Sequence, residues 1–509
     1  MKRILSIIIM FIMTITFTAC DSGDSELIKT DLENPVVIKW VMPGPGKQTD
    51  SEMVWKKFNE DLKKISGFEN VSVDFEIIQI DDYKHRISAI NDLGEKIDIL
   101  HTYTLDYAKE LRNGKIIDMG PYLEKYAKET IEELPEWLID MGKIDEAQAI
   151  VPNYNKMVMT SYSAVLPASL VDKYEIDVEK LSTTLKTDYE GWGWMSRDAI
   201  EEYLAKVYEG GDIRKGFVEG RKKGTDTIID KFEYYIADPE VNVVYSNLET
   251  QQWQLWRLKK YFYDKNYARN NLISDAPEFS KIVDGKAFFT TVDWSGKNTP
   301  FLDETAFDIP VYIVPFDEKF YIPYKPEKGG LAISSESQYP DIAAGIINLM
   351  NSEEGKDLYN LLVYGVEGTH YKVDKYLFDD KIITPIDYVE DGEETSKYGL
   401  WKWIVGNPEN AYITSNNNEN YKDVVYSIMN EGENTLISKL LGFAVDDSTI
   451  APKFSQLSDI ENEYNPLLNQ LEEDIETKLA EMHTKYTDAD VYQITDEIQR
   501  QVDKFLETK

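Results

Sequence analysis

The spacing of apolar residues changes between two periods along the first part of the chain. Alternating or β-branched runs predict strands, whereas apolar residues at steps of three and four predict helices. The predicted strands are residues 35–41, 71–77 and 97–100, and the predicted helices are residues 51–65, 83–93 and 105–112. This strand-helix-strand-helix-strand order is typical of a mostly parallel, doubly wound sheet. The pattern therefore predicts an α/β fold.

The carboxyl ends of these strands predict where a ligand would bind, because ligands of such sheets lie beyond those ends. The predicted ends are residues 43–50, 81–83 and 101–103. Asp82 and Tyr103 lie at two of them and are candidate ligand contacts. A short strand over residues 149–154 is placed to cross between two halves of the molecule, which makes Asn153 and Tyr154 candidates as well. A purely structural role is the alternative for each of these residues.

The rest of the chain mixes helices with short strands. The predicted helices are residues 167–174, 196–208, 247–263, 340–351 and 420–441, and the predicted strands are residues 285–294, 308–315 and 329–334. Two long helices are predicted to close the chain, one with apolar positions from Ile460 to Met482 and one from Val491 to Phe505.

The amino terminus has the pattern of an exported, lipid-anchored protein. Lys2 and Arg3 precede an apolar run of about 14 residues, which is shorter than the roughly 20 residues that span a bilayer. Phe17-Thr18-Ala19-Cys20 follows and resembles a bacterial lipoprotein box, although Leu is usual where Phe17 stands. We expect residues 1–19 to be a signal peptide and Cys20 to carry a lipid that includes palmitate. A buried thiol in a plain anchor helix is the alternative.

Composition narrows the function further. The formal net charge of −37 disfavours nucleic acid as a partner, since phosphates bind basic surfaces. Cys20 is the sole cysteine, so disulfides and thiolate metal sites are excluded, and neither a cofactor nor a metal is expected. The chain also lacks the short motifs of serine hydrolases, zinc proteases and P-loop proteins. Its 33 Tyr and 10 Trp residues suit stacking on sugar rings, although most of them are expected in the core.

Several segments carry the motifs of one known family. They are the Gly-Lys-Ala-Phe strand that ends in Trp at 285–294, the strand 308–315, the strand and helix 329–351, the stretch Tyr-Gly-Val-Glu-Gly-Thr-His-Tyr at 364–371, and the segment 442–505 that begins Gly-Phe-Ala-Val-Asp. They resemble the extracellular solute-binding lipoproteins of ABC importers, family 1, and in particular a branch from Firmicutes that binds oligosaccharides and has a C-terminal extension. The resemblance covers nearly all of residues 35–506.

The resemblance implies a two-lobe, periplasmic-binding-protein-like fold of type II with a hinge, plus C-terminal helices. The expected boundaries are a lipidated tether at 20–34, a first lobe at 35–150 plus 286–330, and a second lobe at 151–285 plus 331–509. It also implies residues of the site. Trp294 stands where the family has a stacking Trp, and Asp293 beside it could accept hydrogen bonds from sugar hydroxyls. A core Trp at the end of a strand is the alternative for Trp294.

Other candidates are less specific. Glu367 and His370 lie in the 364–371 motif, where hydrogen bonds that hold a glycine-rich turn are the alternative. Trp192 and Trp194 lie in a glycine-rich loop and could line the other wall of the cleft or cover the second lobe. The alternating pair Trp401 and Trp403 predicts that one of the two faces inward, with packing as the favoured use.

The resulting hypothesis is a monomeric binding protein rather than an enzyme. It would sit on the extracellular face of the cell membrane, hold a carbohydrate between its lobes and deliver it to the permease subunits of an ABC importer. A binder of another solute, such as a peptide, is the first alternative. A cell-surface glycoside hydrolase is the second, but carboxylate pairs are too common in so acidic a chain to support it.

Overall fold

The protein is described by a computed structural model that gives an α/β architecture. The described residues are 34–153, 161–187, 197–212, 226–229, 234–236, 244–246, 251–267, 290–294, 299–303, 309–315, 320–326, 329–377, 380–386, 388–390, 393–414, 435–471 and 474–509.

The helices fall close to the predicted segments in the first part of the chain. They are α1 (Ser51–Leu62), α2 (Ile80–Leu93), α3 (Tyr107–Arg112), α4 (Gly120–Tyr126), α5 (Lys128–Glu133), α6 (Glu136–Met141), α7 (Ala168–Lys173), α8 (Val178–Thr187), α9 (Arg197–Glu209), α10 (Gln251–Asp264), α11 (Pro340–Asn351), α12 (Lys356–Tyr364), α13 (Lys402–Val405), α14 (Ala451–Asn469), α15 (Ile475–Asp488) and α16 (Gln493–Thr508). Among these described helices, none is both long and apolar enough to cross a membrane.

The strands are mostly short. They are β1 (Val36–Gly44), β2 (Val71–Gln79), β3 (Ile99–His101), β4 (Lys143–Ile144), β5 (Ala147–Gln148), β6 (Val151–Pro152), β7 (Ser161–Pro167), β8 (Asp226–Ile229), β9 (Tyr234–Ile236), β10 (Val244–Ser246), β11 (Thr290–Trp294), β12 (Phe301–Asp303), β13 (Val311–Pro315), β14 (Phe320–Ile322), β15 (Gly330–Ile333), β16 (Tyr371–Leu377), β17 (Asp380–Pro385), β18 (Tyr388–Glu390), β19 (Glu393–Thr395), β20 (Ile413–Thr414) and β21 (Thr435–Ile437).

Five strands form the first sheet, in the order β2-β1-β3-β15-β6. β1 pairs in parallel with both β2 and β3, which confirms the parallel arrangement predicted from the sequence. β15 runs antiparallel to β3 and to β6. The carboxyl ends of β1, β3 and β6 therefore lie at one edge of this sheet, and the candidate site is built there.

β1 is buried because it lies inside the sheet, between β2 and β3. Trp40, Val41 and Met42 are fully buried, as expected for a strand that is covered on both faces. The strand predicted over residues 35–41 is longer in the structure, since β1 continues to Gly44 through parallel pairing with β2.

β15 belongs to the first sheet and the next two helices pack on it, although residues 331–509 were expected in the second lobe. β15 pairs with β3, and helices α11 and α12 pack into the same core as β1. Ten of the residues of α11, Ile342–Asn351, are buried against that core. The expected boundary at 331 is therefore wrong, because a core that joins residues so distant in the chain leaves no mark in the local sequence.

A second sheet has the order β11-β7-β13-β12 and is antiparallel throughout. Its β7 packs with α7 to α10 in a separate core that includes Leu166, Leu204 and Phe262. The expectation had placed residues 286–330 in the first lobe. β11, β12 and β13 instead belong to the sheet of β7, and the chain crosses between the two sheets after β6 and again between β13 and β15.

The C-terminal region differs from the predicted pair of long helices. It contains three helices, α14 to α16, around a core of its own. The first predicted helix is divided at Leu471, a buried residue with φ of 56°, so the chain turns between α14 and α15. The helix predicted over residues 420–441 is contradicted near its C-terminal end, where the chain forms β21 and pairs with β14. Residues 415–434 lie outside the described part.

Candidate ligand-binding site

Four ring side chains meet at the carboxyl end of β3. They are His101, Tyr103, Trp401 and Trp403, and they are called the aromatic group below. The ring centroid of Trp403 lies 5.8 Å from that of His101 and 5.7 Å from that of Tyr103. The rings of Trp401 and Trp403 are parallel within 3°, with centroids 5.9 Å apart. His101 is fully buried, Tyr103 and Trp403 are half-buried, and Trp401 is 39% exposed. The aromatic group thus leads from a buried imidazole to an indole that is open to solvent.

Hydrogen bonds hold the segment that carries Trp401 beside the end of β1. Nε2 of Gln48, in the loop after β1, donates to the carbonyl of Gly399 at 2.9 Å. The N–H of Leu400 donates to the carbonyl of Val363, in α12, at 2.9 Å. The segment before α13 is therefore fixed both to the strand-end loop and to a helix of the first core. This attachment brings residues about 300 positions apart into one site.

The imidazole of His101 has a defined orientation. Its Nδ1 accepts a hydrogen bond from the N–H of Tyr103 at 3.0 Å, while the hydroxyl of Tyr83 donates to the carbonyl of His101 at 2.6 Å. Burial lowers the pKa of His101 to about 3, so the ring is neutral near pH 7. A neutral imidazole that accepts at Nδ1 carries its proton on Nε2.

Asn153 links α13 to the crossing that follows β6. The side chain is 2% exposed, and its Nδ2 donates to the carbonyl of Ile404 at 3.0 Å. The residue after Trp403 is thus tied to the chain where it leaves the first sheet. Of the residues predicted from the strand ends, the structure brings Tyr103 and Asn153 to the same short helix, α13.

The other candidates of the first sheet are not part of the aromatic group. Asp82 is exposed in the first turn of α2, directly after β2 at the edge of the sheet. Glu367 is exposed, and Nζ of Lys381 lies 3.7 Å from its carboxylate. His370 is 5% exposed and bonds within the protein through both ring nitrogens, to Val366 and Asp50. These contacts of His370 agree with the alternative role, in which its hydrogen bonds hold the glycine-rich turn.

The candidates of the second sheet are described only in part. Asp293 and Trp294 are the last two residues of β11 and pair with Tyr162 and Ser161 of β7, so Trp294 does stand at the end of a strand. Their side chains lie outside the described part. Tyr154, Trp192 and Trp194, together with Cys20, also lie outside the described residues, and their assignments stay predictions.

Packing was the favoured use of Trp401 and Trp403 in the sequence. Their alternation did not show that Trp403 meets Tyr103. His101 was missed altogether, since a single His that ends an apolar strand has no distinctive pattern. Within the described ranges, no group of three or more His, Cys, Asp or Glu side chains is arranged to hold a metal ion.

Comparison with known proteins adds one family model and several structures. A model described as "Domain of unknown function (DUF3502)" matches residues 439–507, which include α14 to α16. No curated protein sequence matches the chain.

Solved structures match over nearly the whole chain. The N-glycan transport solute binding protein (NgtS) from Streptococcus pneumoniae is 19% identical, with a TM-score of 0.72 over 93% of this chain and 99% of that one. Its complex with Man5GlcNAc gives 20% identity and a TM-score of 0.60 over 94% and 99%. The ABC-transporter substrate binding protein FusA of S. pneumoniae, in complex with kestose, gives 12% and 0.52 over 93% and 100%.

These similarities define the fold. The chain has the two-lobe α/β fold of solute-binding proteins, extended by C-terminal helices, as expected from the sequence.

Proposed function

We propose that this protein is the substrate-binding component of an ABC importer and that it captures an oligosaccharide between its two lobes. It releases the sugar unaltered to the permease subunits and works as a monomer. The observation that carries the proposal is the aromatic group at the carboxyl edge of the first sheet, in a fold shared with oligosaccharide-binding proteins.

The aromatic group has the chemistry that a sugar needs. Sugar rings present apolar C–H faces and a rim of hydroxyls, and an indole or phenol ring offers a flat apolar face with a polar handle. Trp401 has its exposed surface at the edge where ligands of such sheets bind. Stacking on Trp401 and Trp403 would bury both apolar faces while the hydroxyls keep polar partners.

Two chain crossings between the sheets support capture by closure. Hinge closure around a ligand is a known transition of two-lobe binding proteins, and a ligand drives it only if it binds the closed state better. We infer that the present chain closes in the same way.

Export and anchoring follow from the amino terminus. The signal-like residues 1–19 and the acylated Cys20 would tether the two lobes to the outer face of the cell membrane. A tethered protein keeps the captured sugar close to the permease, which a freely diffusing one does not.

A direct binding measurement tests the proposal. Purified protein without residues 1–19 and with Cys20→Ser is titrated with Man1GlcNAc, Man5GlcNAc and kestose by calorimetry, and the products are examined by mass spectrometry. We expect saturable binding of at least one of these sugars with no change in its mass. Cleavage of a bound sugar would identify an enzyme instead, and absence of binding to all three would overturn the assignment to this sugar class.

A further inference from the structure

Two buried polar atoms beside the aromatic group have no partner. Within the described part of the chain, Nε2 of His101 and Oδ1 of Asn153 make no hydrogen bond. His101 is 0% exposed and Asn153 is 2% exposed, so bulk water does not solvate them. A buried polar group left unpaired costs about 1–3 kcal/mol. Each such atom calls for an explanation, and these two lie beside the aromatic group of the candidate site.

Their chemical roles are set by the bonds that the same side chains do make. Nδ1 of His101 accepts from the N–H of Tyr103, so the proton of the neutral ring sits on Nε2, which is a donor. Nδ2 of Asn153 donates to the carbonyl of Ile404, so the free atom of this amide is its oxygen, which is an acceptor. The site thus offers one donor and one acceptor, both neutral.

The register of the first sheet places the two side chains on the same face. His101 pairs with Leu331, and Leu331 pairs with Val151 on the far side of β15. Residues paired across a sheet point to one face, and residues two apart in a strand share that face. Asn153 lies two residues after Val151, and its N–H donates to the carbonyl of Gly329 at 3.5 Å. Gly329 adds no side chain next to Asn153, whereas Leu331 stands next to His101 on the same face.

Two neighbouring residues of α13 contact the two side chains. The ring of Trp403 meets that of His101 edge to face, at 74°, and the next residue, Ile404, is the partner of Asn153. Trp403 is half-buried, and its ring contacts those of His101, Tyr103 and Trp401. A turn of the Trp403 ring away from His101 would free the edge of the imidazole and would leave the hydrogen bond from Asn153 to Ile404 intact.

We propose that His101 and Asn153 form a polar subsite for the hydroxyls of one sugar unit, with His101 as the donor and Asn153 as the acceptor. The proposal rests on the proposed function and names the part of the ligand that this edge recognises. A hydroxyl is both a donor and an acceptor, so it satisfies both atoms, and a neutral pair neither attracts nor repels charge. In the absence of a sugar, water supplies the same chemistry.

Two substitutions at His101 separate recognition from support. His101→Asn keeps an oxygen that can accept from the N–H of Tyr103 but removes the donor at Nε2. His101→Gln places a donor near the former Nε2 and gives up the local acceptor. If the imidazole binds a hydroxyl, His101→Asn weakens binding about tenfold or more, which corresponds to about 1.4 kcal/mol, and His101→Gln recovers most of the loss. A merely structural imidazole predicts the opposite order.

Asn153→Ala is compared with Asn351→Ala. Asn351 is also buried, has an unpaired Oδ1 and donates through Nδ2 to a backbone carbonyl, that of Ile347 at 2.8 Å, but it lies at the end of α11. Both variants lose one such bond, so both should melt at lower temperature. Only Asn153→Ala should lose sugar affinity, by about tenfold.

The measurements are dissociation constants for Man1GlcNAc, Man5GlcNAc and kestose, together with the melting temperature of the sugar-free protein. Affinity that is unchanged in both His101→Asn and Asn153→Ala, with lower melting temperatures, assigns the pair to water alone and overturns the subsite. Failure of the unsubstituted protein to bind any of the sugars overturns the proposed function itself, and with it this inference.

Discussion

Nε2 of His370 lies 3.2 Å from Oδ2 of Asp50, across 320 residues of sequence. Nδ1 of the same ring accepts from the N–H of Val366 at 2.8 Å. Because Nδ1 accepts, Nε2 carries the proton and donates to the Asp50 carboxylate. His370 therefore joins the turn after α12 to the residue that precedes α1, directly beneath the loop that follows β1.

Replacement of His370 should destabilise the protein. His370→Ala removes both bonds and leaves the N–H of Val366 without its partner, which should lower the free energy of unfolding by about 1–3 kcal/mol. Urea unfolding measures the change. His85→Ala, at an exposed position of α2, is the control and should differ from the parent protein by less than about 0.5 kcal/mol. Equal stability of the two variants would show that the hydrogen bonds of His370 contribute nothing to the free energy of unfolding.

In the turn that His370 supports, alanine should be less destabilising at one glycine than at another. Gly365 and Gly368 both have a positive φ, of 80° and 78°, so alanine is strained at either position by about 1–2 kcal/mol. A Cβ at Gly365 would also stand 2.5 Å from Nδ1 of His370, whereas nothing lies within 4 Å at Gly368. Gly365→Ala should therefore be clearly less stable than Gly368→Ala by urea unfolding. Matching values would contradict the described packing.

Trp401 should contribute to sugar binding without contributing much to stability. Its indole is partly exposed and stacks on Trp403, so Trp401→Ala removes a stacking face and should weaken sugar binding by about 1 kcal/mol, roughly fivefold. Calorimetry with the sugar that binds best measures the loss. Tyr376→Ala, which removes a 68% exposed ring on β16, should leave affinity unchanged. An equal loss in the two variants would remove Trp401 from the site.

The acid stability of the protein should depend on His101. Burial lowers the pKa of this imidazole from 6.5 to about 3, so the unfolded chain binds its proton near pH 6.5 and the folded chain does not. Between these values the unfolded state holds more protons, and stability falls as the pH falls, by up to about 1.4 kcal/mol per pH unit from this group. Unfolding free energies at pH 6, 5 and 4 should fall less steeply in His101→Gln. Parallel pH profiles would refute a buried neutral imidazole.

An ion pair joins the C-terminal helices to α10. Nε and a terminal nitrogen of Arg257, in α10, lie 2.6 and 2.7 Å from the two carboxylate oxygens of Glu476, in α15. Both side chains are well exposed, so the coupling energy in a double-mutant cycle of Arg257→Gln and Glu476→Gln should be about 0.2–1 kcal/mol and should fall in high salt. A coupling well above that range would indicate that this pair holds the two parts together.

The local elements were largely predictable from the sequence. Val71, Val73, Phe75 and Ile77 alternate because one face of β2 meets the core, and the three- and four-residue steps in α1 arise in the same way. Such patterns record only whether a side chain is buried. They could not show that Leu471 turns the chain with a positive φ, since nothing in the local sequence requires it.

Local periodicity carries no information about pairing partners, so it could not show which strands share a sheet. The strands of the second sheet come from residues 161–167 and 290–315, and β15 returns to the first sheet more than 200 residues after β3.

The chain alone established an α/β protein of strongly acidic composition, with alternating helices and strands. Those features depend on neighbours in the sequence and on composition. Folding alone established that Tyr103, Asn153 and Trp403 share one edge, and that an imidazole and an amide are left there with one unpaired atom each. The reason is physical: burial and hydrogen bonding of a side chain depend on what is packed against it, and here the packing segments lie some 300 residues apart in the chain.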